Sequence, residues 1–424
     1  MIKRNLLYLT IFSGFIGSSL SFLMISLGPF SLFPYRFFLI LLWLIFLLNI
    51  FKRKGQVSIK NIKVIPYLRF FILWFFYAVL SLFWAAAPMF ALREIVLLFI
   101  EISMIFFVVY YFTDIKSFKL FYNLWLLIIV IAIGFSLWNY FVGNNPMPNI
   151  ISLTIGNTFA PKSFYKFQNF FSIFLALSIP FVLTFIKYHK RPILRLFFVG
   201  ILLLAVILLL LTLARSCYLA VFSSIVFWML FTTKRVISSK TLLKISLAIL
   251  ILFILFQNQY IQALYHLINE QITSLDSGVS NVGSSVNLRL NAIKNSLLFF
   301  KNSWGLGVGA GNVEYYMVHF GIYNVNNNPY VHNWWVEILT NYGIFIFGYY
   351  ITLYVKLFLD LYKVYAKLTS NQEKMICETL LMGMVGFPLA SLSNGTIIYF
   401  APQWIFFAFV IGFLNYTKIK RVRI

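Results

Sequence analysis

Apolar residues in this chain gather into long uninterrupted runs, separated by short polar or basic stretches. The runs fall at roughly 6–26, 35–51, 66–84, 93–112, 119–141, 169–187, 196–213, 217–233, 244–257, 341–362, 375–393 and 397–416. Most are long enough for a helix to cross about 30 Å of hydrocarbon, which takes roughly 17 to 25 residues. In a bilayer only helices and closed barrels satisfy every backbone group internally, and unbroken apolar runs specify helices. The pattern predicts an all-α integral membrane protein of about twelve transmembrane helices. Residues 1–256 carry spans 1–9, and 257–340 form one large extracytoplasmic loop between spans 9 and 10. Residues 341–424 carry spans 10–12.

Composition agrees. Hydrophobic residues make up 62% of the chain and charged residues 10%, with a mean hydropathy of +0.90. A soluble domain carries about 25% charged residues. The formal charge of +24 would point to nucleic acid in a soluble protein. Here the basic residues sit in short loops between apolar runs, and nucleic acid is not expected as a partner. Loops in one phase hold 24 of the 34 Lys and Arg residues, against eight in the other. That bias predicts both termini in the cytoplasm. The first run is followed directly by a second, so no cleavable signal peptide is expected. Cys217 and Cys377 fall near opposite ends of their spans and are not expected to pair. No internal repeat is visible, which gives no support to an inverted-repeat transporter.

The outer phase contains the residues with chemical potential. Its acidic residues, Glu94, Glu270, Asp276, Glu314 and Glu337, are far apart in sequence, and its histidines lack ligand spacing. No metal site and no cofactor are expected. In Asn328-Pro329-Tyr330-Val331-His332-Asn333-Trp334-Trp335, an Asn before a Pro predicts a helix start, with Asn328 as N-cap and Pro329 at the first helical position. His332 then falls in about the first turn, where the helix dipole disfavours imidazolium and leaves a neutral base. The alternative is an interfacial His within an aromatic belt. Arg215 lies in a tight turn between two strongly apolar runs, on the side where positive charge is scarce, and Arg289 precedes a helical stretch in the large loop. Two guanidinium groups suit a diphosphate. The glycine run from Gly305 to Gly311 lacks a preceding strand and reads as a turn that lets backbone approach a ligand or another helix.

These residues together resemble the bacterial O-antigen ligase/polymerase family, the membrane glycosyltransferases named WaaL and Wzy. The resemblance rests on Ala214-Arg215-Ser216, on Leu288-Arg289-Leu290 and on the glycine run through Asn312. It rests above all on His332-Asn333 followed by Leu339 and Gly343. It implies transfer of a glycan from undecaprenyl diphosphate to the hydroxyl of an acceptor glycan or glycolipid, on the outer face of a bacterial cell membrane and without metal. Arg215 and Arg289 would bind the diphosphate and His332 would accept the proton. Asn333, Asn169, Gly307 and Gly309 would line the substrate site. A Phe/Ile/Lys/Asn-rich composition favours a polymerase of surface-polysaccharide repeats over a ligase acting on lipid A core. A transporter of lipid-linked sugars is the reading from another class, and it should carry charged residues at mid-membrane.

Overall fold

A computed structural model describes residues 2–17, 25–27, 30–52, 61–142, 154–155, 158–159, 161–165, 167–232, 285–326, 328–392 and 397–422. The expected ninth span, 244–257, and most of the first half of the large loop lie outside these residues. The described chain is a helical bundle. Its elements are α1 (Ile2–Ile16), α2 (Pro34–Lys52), α3 (Ile65–Leu80), α4 (Pro88–Tyr111), α5 (Ile115–Val142), α6 (Gln168–Tyr188), α7 (Pro192–Leu211), α8 (Arg215–Phe227), α9 (Ser285–Asn302), α10 (Asn312–Phe320), α11 (Trp334–Tyr365), α12 (Asn371–Ala390) and α13 (Ala401–Val422). Two short antiparallel hairpins, Ile25–Leu27 with Phe30–Leu32 and Thr154–Ile155 with Thr158–Phe159, interrupt the helices.

Among the described residues, seven helical segments are long and apolar enough to cross a membrane, against the twelve expected over the whole chain. Several apolar runs sit where helices form: 35–51 lies within Pro34–Lys52 and 169–187 within Gln168–Tyr188, whereas the first run, 6–26, extends beyond α1, which ends at Ile16. Proline opens α2, α4 and α7, where its missing N–H costs nothing. α13 is the axis of the bundle and is buried along nearly its whole length. It packs on α4, α1 and α5, with Phe409 stacked on Phe121 at 4.1 Å and 10°. Its Asn415 accepts the backbone N–H of Lys63 at 2.6 Å and donates to the carbonyls of Asn61 and Val109, tying a loop and α4 to the axis.

One buried carboxylate inside the bundle is fully paired. Glu378 on α12 accepts from Lys187 at 2.8 Å, Tyr188 at 2.6 Å, Tyr365 at 2.7 Å and Trp228 at 3.0 Å. Such full satisfaction is the condition for burying a charge. Cys217 and Cys377 are both free and buried, as their opposed positions implied.

Candidate functional site

The second half of the large loop is a structured cap on one end of the bundle. A small apolar core of Ala292, Phe299, Val308, Val313, Met317, Val325 and Val331 holds it together. Buried Asn295 pins the segment leading to His332: its Oδ1 accepts the N–H groups of Ile322 at 3.0 Å and Tyr323 at 2.9 Å, and its Nδ2 donates to the Tyr323 carbonyl at 2.8 Å. Sequence reasoning passed over Asn295; the signal was an Asn recurring every fourth position on a helix, at 287, 291 and 295.

The helix after His332 starts later than expected. Asn328 and Pro329 end a turn, in which the Asn328 N–H donates to the Val325 carbonyl at 3.0 Å. The N-cap of α11 is Asn333, whose Oδ1 accepts the N–H groups of Trp335 at 3.1 Å and Val336 at 3.2 Å. An amide oxygen satisfies two orphan donors there, which outweighs the weaker demand of an Asn-Pro step. The Asn333 oxygen is thus committed to the helix. His332 stands immediately before the cap at φ +55°, a left-handed conformation that costs a non-glycine residue about 1 kcal/mol or more.

The Asn328 Nδ2 lies 3.0 Å from His332 Nε2, and its N–H can donate there. That leaves the ring proton on Nδ1, which is buried and has no hydrogen-bond partner. Burial, and then the charge of Arg289, push the His332 pKa down to about 4. The imidazole is therefore neutral at physiological pH. The helix-start argument predicted a neutral ring, but the causes are desolvation and a neighbouring guanidinium.

Arg289 lies in the second turn of α9, inside the helix rather than ahead of it. Burial and the field of Arg215 both lower its pKa. Arg289 thus stands between the other two in charge, feeling the field of Arg215 and acting in turn on His332, each residue from a separate part of the chain. Arg215 is the first residue of α8, and Leu213 at φ +54° makes the sharp turn out of α7. A cation there opposes the positive end of the helix dipole, whereas an anion is favoured by both.

The ends of four helices meet around this point. Cys217, two residues after Arg215, places its Sγ 3.3 Å from Ser172 Oγ and 4.0 Å from the Ala390 carbonyl. The Ser172 hydroxyl donates to the Asn169 carbonyl at 2.8 Å, so Asn169 stands in the first turn of α6 beside the start of α8. Ser391, at the end of α12, accepts the Trp334 N–H at 3.1 Å through its carbonyl and the Trp335 indole N–H at 3.0 Å through its hydroxyl. Ser391 was not picked out by sequence; its partners lie more than 50 residues away.

The glycine run packs against protein, which accounts for its composition. Gly343 breaks α11 with φ 73° and ψ −177°. The carbonyls freed at the break accept from Val308 (to Thr340, 2.8 Å) and Gly309 (to Asn341, 3.0 Å), and Ile344 N–H donates to Gly305 at 2.9 Å. A Cβ on Gly307 would stand 2.6 Å from the Asn341 oxygen, and one on Gly309 3.1 Å from Ala85. Both glycines are buried. Of the two readings open in sequence, approach to another helix is the one this packing displays.

The acidic residues, remote in sequence, partly converge in space. Tyr342 donates to Glu94 at 2.5 Å, the first turn of α10 carries Glu314, and Glu337 is buried within reach of both their charges. Among the described residues no group of three His, Cys, Asp or Glu side chains is arranged to hold a metal ion.

These features define a multi-pass membrane protein whose candidate site is gathered by helix ends at one end of the bundle. Residues 200–351 match the family described as O-antigen ligase. Teichuronic acid biosynthesis protein TuaE of Bacillus subtilis (strain 168) is 30% identical over 419 residues, covering 98% of this chain and 85% of that protein. The chain belongs to the O-antigen ligase/polymerase family of glycosyltransferase-type membrane proteins, which act in polysaccharide biosynthesis.

Proposed function

We propose that the protein transfers a glycan from undecaprenyl diphosphate to a sugar hydroxyl on the outer face of the cell membrane, lengthening a surface polysaccharide by repeat units. The observation that carries this reading is the gathering of Arg215, Arg289 and a neutral His332 from three elements. In the step, an acceptor O–H attacks the anomeric carbon, a new glycosidic C–O bond forms, and the bond to the diphosphate breaks. His332 Nε2 takes the hydroxyl proton, displacing the Asn328 amide. Arg215 and Arg289 take up the charge that develops on the leaving diphosphate. His332 and Arg289 are half-buried, which strengthens their part of both effects, because water screens them less. The relative's name, which ties it to teichuronic acid, favours polymer building over ligation to a lipid A core.

In cells that make the polymer, Arg289→Ala is expected to leave single repeat units on the lipid carrier. Extraction and chromatography of lipid-linked glycans reads this out. Long polymer retained on the carrier would identify a ligase, and an unchanged glycan pool would refute the transferase reading.

The histidine also sets a pH dependence. An ordinary imidazole titrates near 6.5, whereas His332 titrates at about 4. The base form therefore persists well below neutrality, and the acidic limb of the transfer rate is expected nearer pH 4 to 5 than 6.5. In Arg289→Ala, residual activity should show this limb moved upward, since a repelling cation is gone. The same shift bears on stability: because the folded state resists protonation, the stability from a neutral His332 is complete above the unfolded pKa and is lost as pH falls from about 6.5 toward 4.

A further inference from the structure

We propose that the cleft between the ends of α5, α6, α7 and α12, at the end of the bundle opposite Arg215 and His332, binds an anionic phospholipid. Its phosphate would sit at Lys119 and His189, with an acyl chain in the apolar interior.

The four helix ends leave a cavity of about 630 Å³, within the roughly 300–1,000 Å³ typical of small-ligand sites. Its walls include Leu126, Leu127, Val130, Phe185, Phe197 and Phe198. Its polar lining comes from Lys119 at the start of α5 and Asn123 one turn further in, Tyr188 and His189 at the end of α6, and Asn371 and Gln372 at the start of α12. Polarity therefore runs from charged at the helix ends to apolar along the helices, the gradient of a phospholipid.

Two observations favour an anion at the charged end. The His189 ring is stacked on Phe185, centroids 4.4 Å apart at 16°, and its Nε2 is buried without a hydrogen-bond partner. A buried ring nitrogen of this kind is satisfied by an incoming oxygen. The neighbouring carboxylates are already engaged: Glu378 with Lys187, Glu373 with Lys420, and Asp114 with Arg4. No ion pair among the described residues engages Lys119 or His189. Basic pockets between transmembrane helices take anionic headgroups for the same reason. The site is independent of the transfer reaction.

Native mass spectrometry of the full chain in detergent, titrated with dioleoyl phosphatidylglycerol or dioleoyl phosphatidylcholine, tests this. At about 1 kcal/mol per cation near a headgroup, the anionic lipid is expected to bind at least about fivefold more tightly. The Lys119→Ala/His189→Ala protein should lose that preference, and Val130→Trp, which fills the cavity, should lower occupancy by both lipids. Equal binding of the two lipids by the native protein, or phosphatidylglycerol binding unchanged in both variants, overturns the proposal.

Discussion

The His332→Ala protein is expected to fold and insert normally yet transfer glycan about 10²- to 10⁴-fold more slowly, the usual cost of losing a general base. The two halves of this expectation have separate causes. Folding should survive because the helix that follows is capped by Asn333, not by His332, and the preceding segment is held by Asn295. The imidazole forms a single side-chain hydrogen bond, to exposed Asn328, and its other nitrogen has no partner. Removing the β-carbon substituents also eases a residue held at φ +55° only slightly, so no large gain in stability should mask the loss. Activity should fall because no other side chain with a hydrogen-bond link to the ring is placed to take the proton. A His332→Ala protein with native thermal stability and near-native transfer would remove the base from the scheme.

Gly343→Ala is expected to damage the fold itself, by more than about 3 kcal/mol or to the point of failed insertion. Two penalties coincide at this position. The backbone, at φ 73° and ψ −177°, lies in a region open essentially to glycine alone. An added β-carbon would also come within 2.4 Å of the carbonyl oxygens of Gly305 and Leu306, which are backbone atoms with nowhere to retreat. The glycine loop is fixed from its other side by Tyr77, which donates to the Leu306 carbonyl at 2.6 Å, and by Trp84, which donates to Gly307 at 3.0 Å. Relaxation would therefore pull on α3 as well as on the cap. Fluorescence-detected size exclusion after graded heating measures the effect; a melting point within a degree of the native protein would contradict the packing account. Gly348, five residues on, has open space around its α-carbon, and Gly348→Ala serves as the benign control.

These two residues show how far the chain could be read in advance. Hydropathy placed several helices closely, 35–51 within Pro34–Lys52 and 169–187 within Gln168–Tyr188, because a 20-residue apolar run satisfies its backbone in lipid only as a helix, but it ran the first span ten residues past Ile16. Arg215 stood out because positive charge is scarce on its side of the membrane, whereas Arg289 and His332 stood out through Leu288-Arg289-Leu290 and the His332-Asn333 stretch. Local chemistry misled at Asn328-Pro329: the step carries a strong helix-start signal, but the two N–H groups that needed an acceptor lay beyond Asn333. The glycines at 305–311 could be read locally only as a turn of close backbone approach, with ligand and helix both open as its partner. Their partner is the backbone at Thr340 to Ile344, and only the tertiary approach distinguishes a ligand loop from a helix-packing loop. Linear spacing failed in the same way for Glu94 and Glu337, which are separated along the chain yet share one end of the bundle.

The central claim, that the two arginines and His332 act together on a lipid diphosphate, is tested most directly by turnover with purified protein. The full chain in proteoliposomes would be given lipid-linked glycan extracted from cells lacking it, and release of undecaprenyl diphosphate followed by mass spectrometry. The account predicts steady release with matching growth of the glycan, and loss of both in Arg215→Ala, Arg289→Ala and His332→Ala proteins of native stability. Release at the native rate in all three, or none from the native protein, would contradict it.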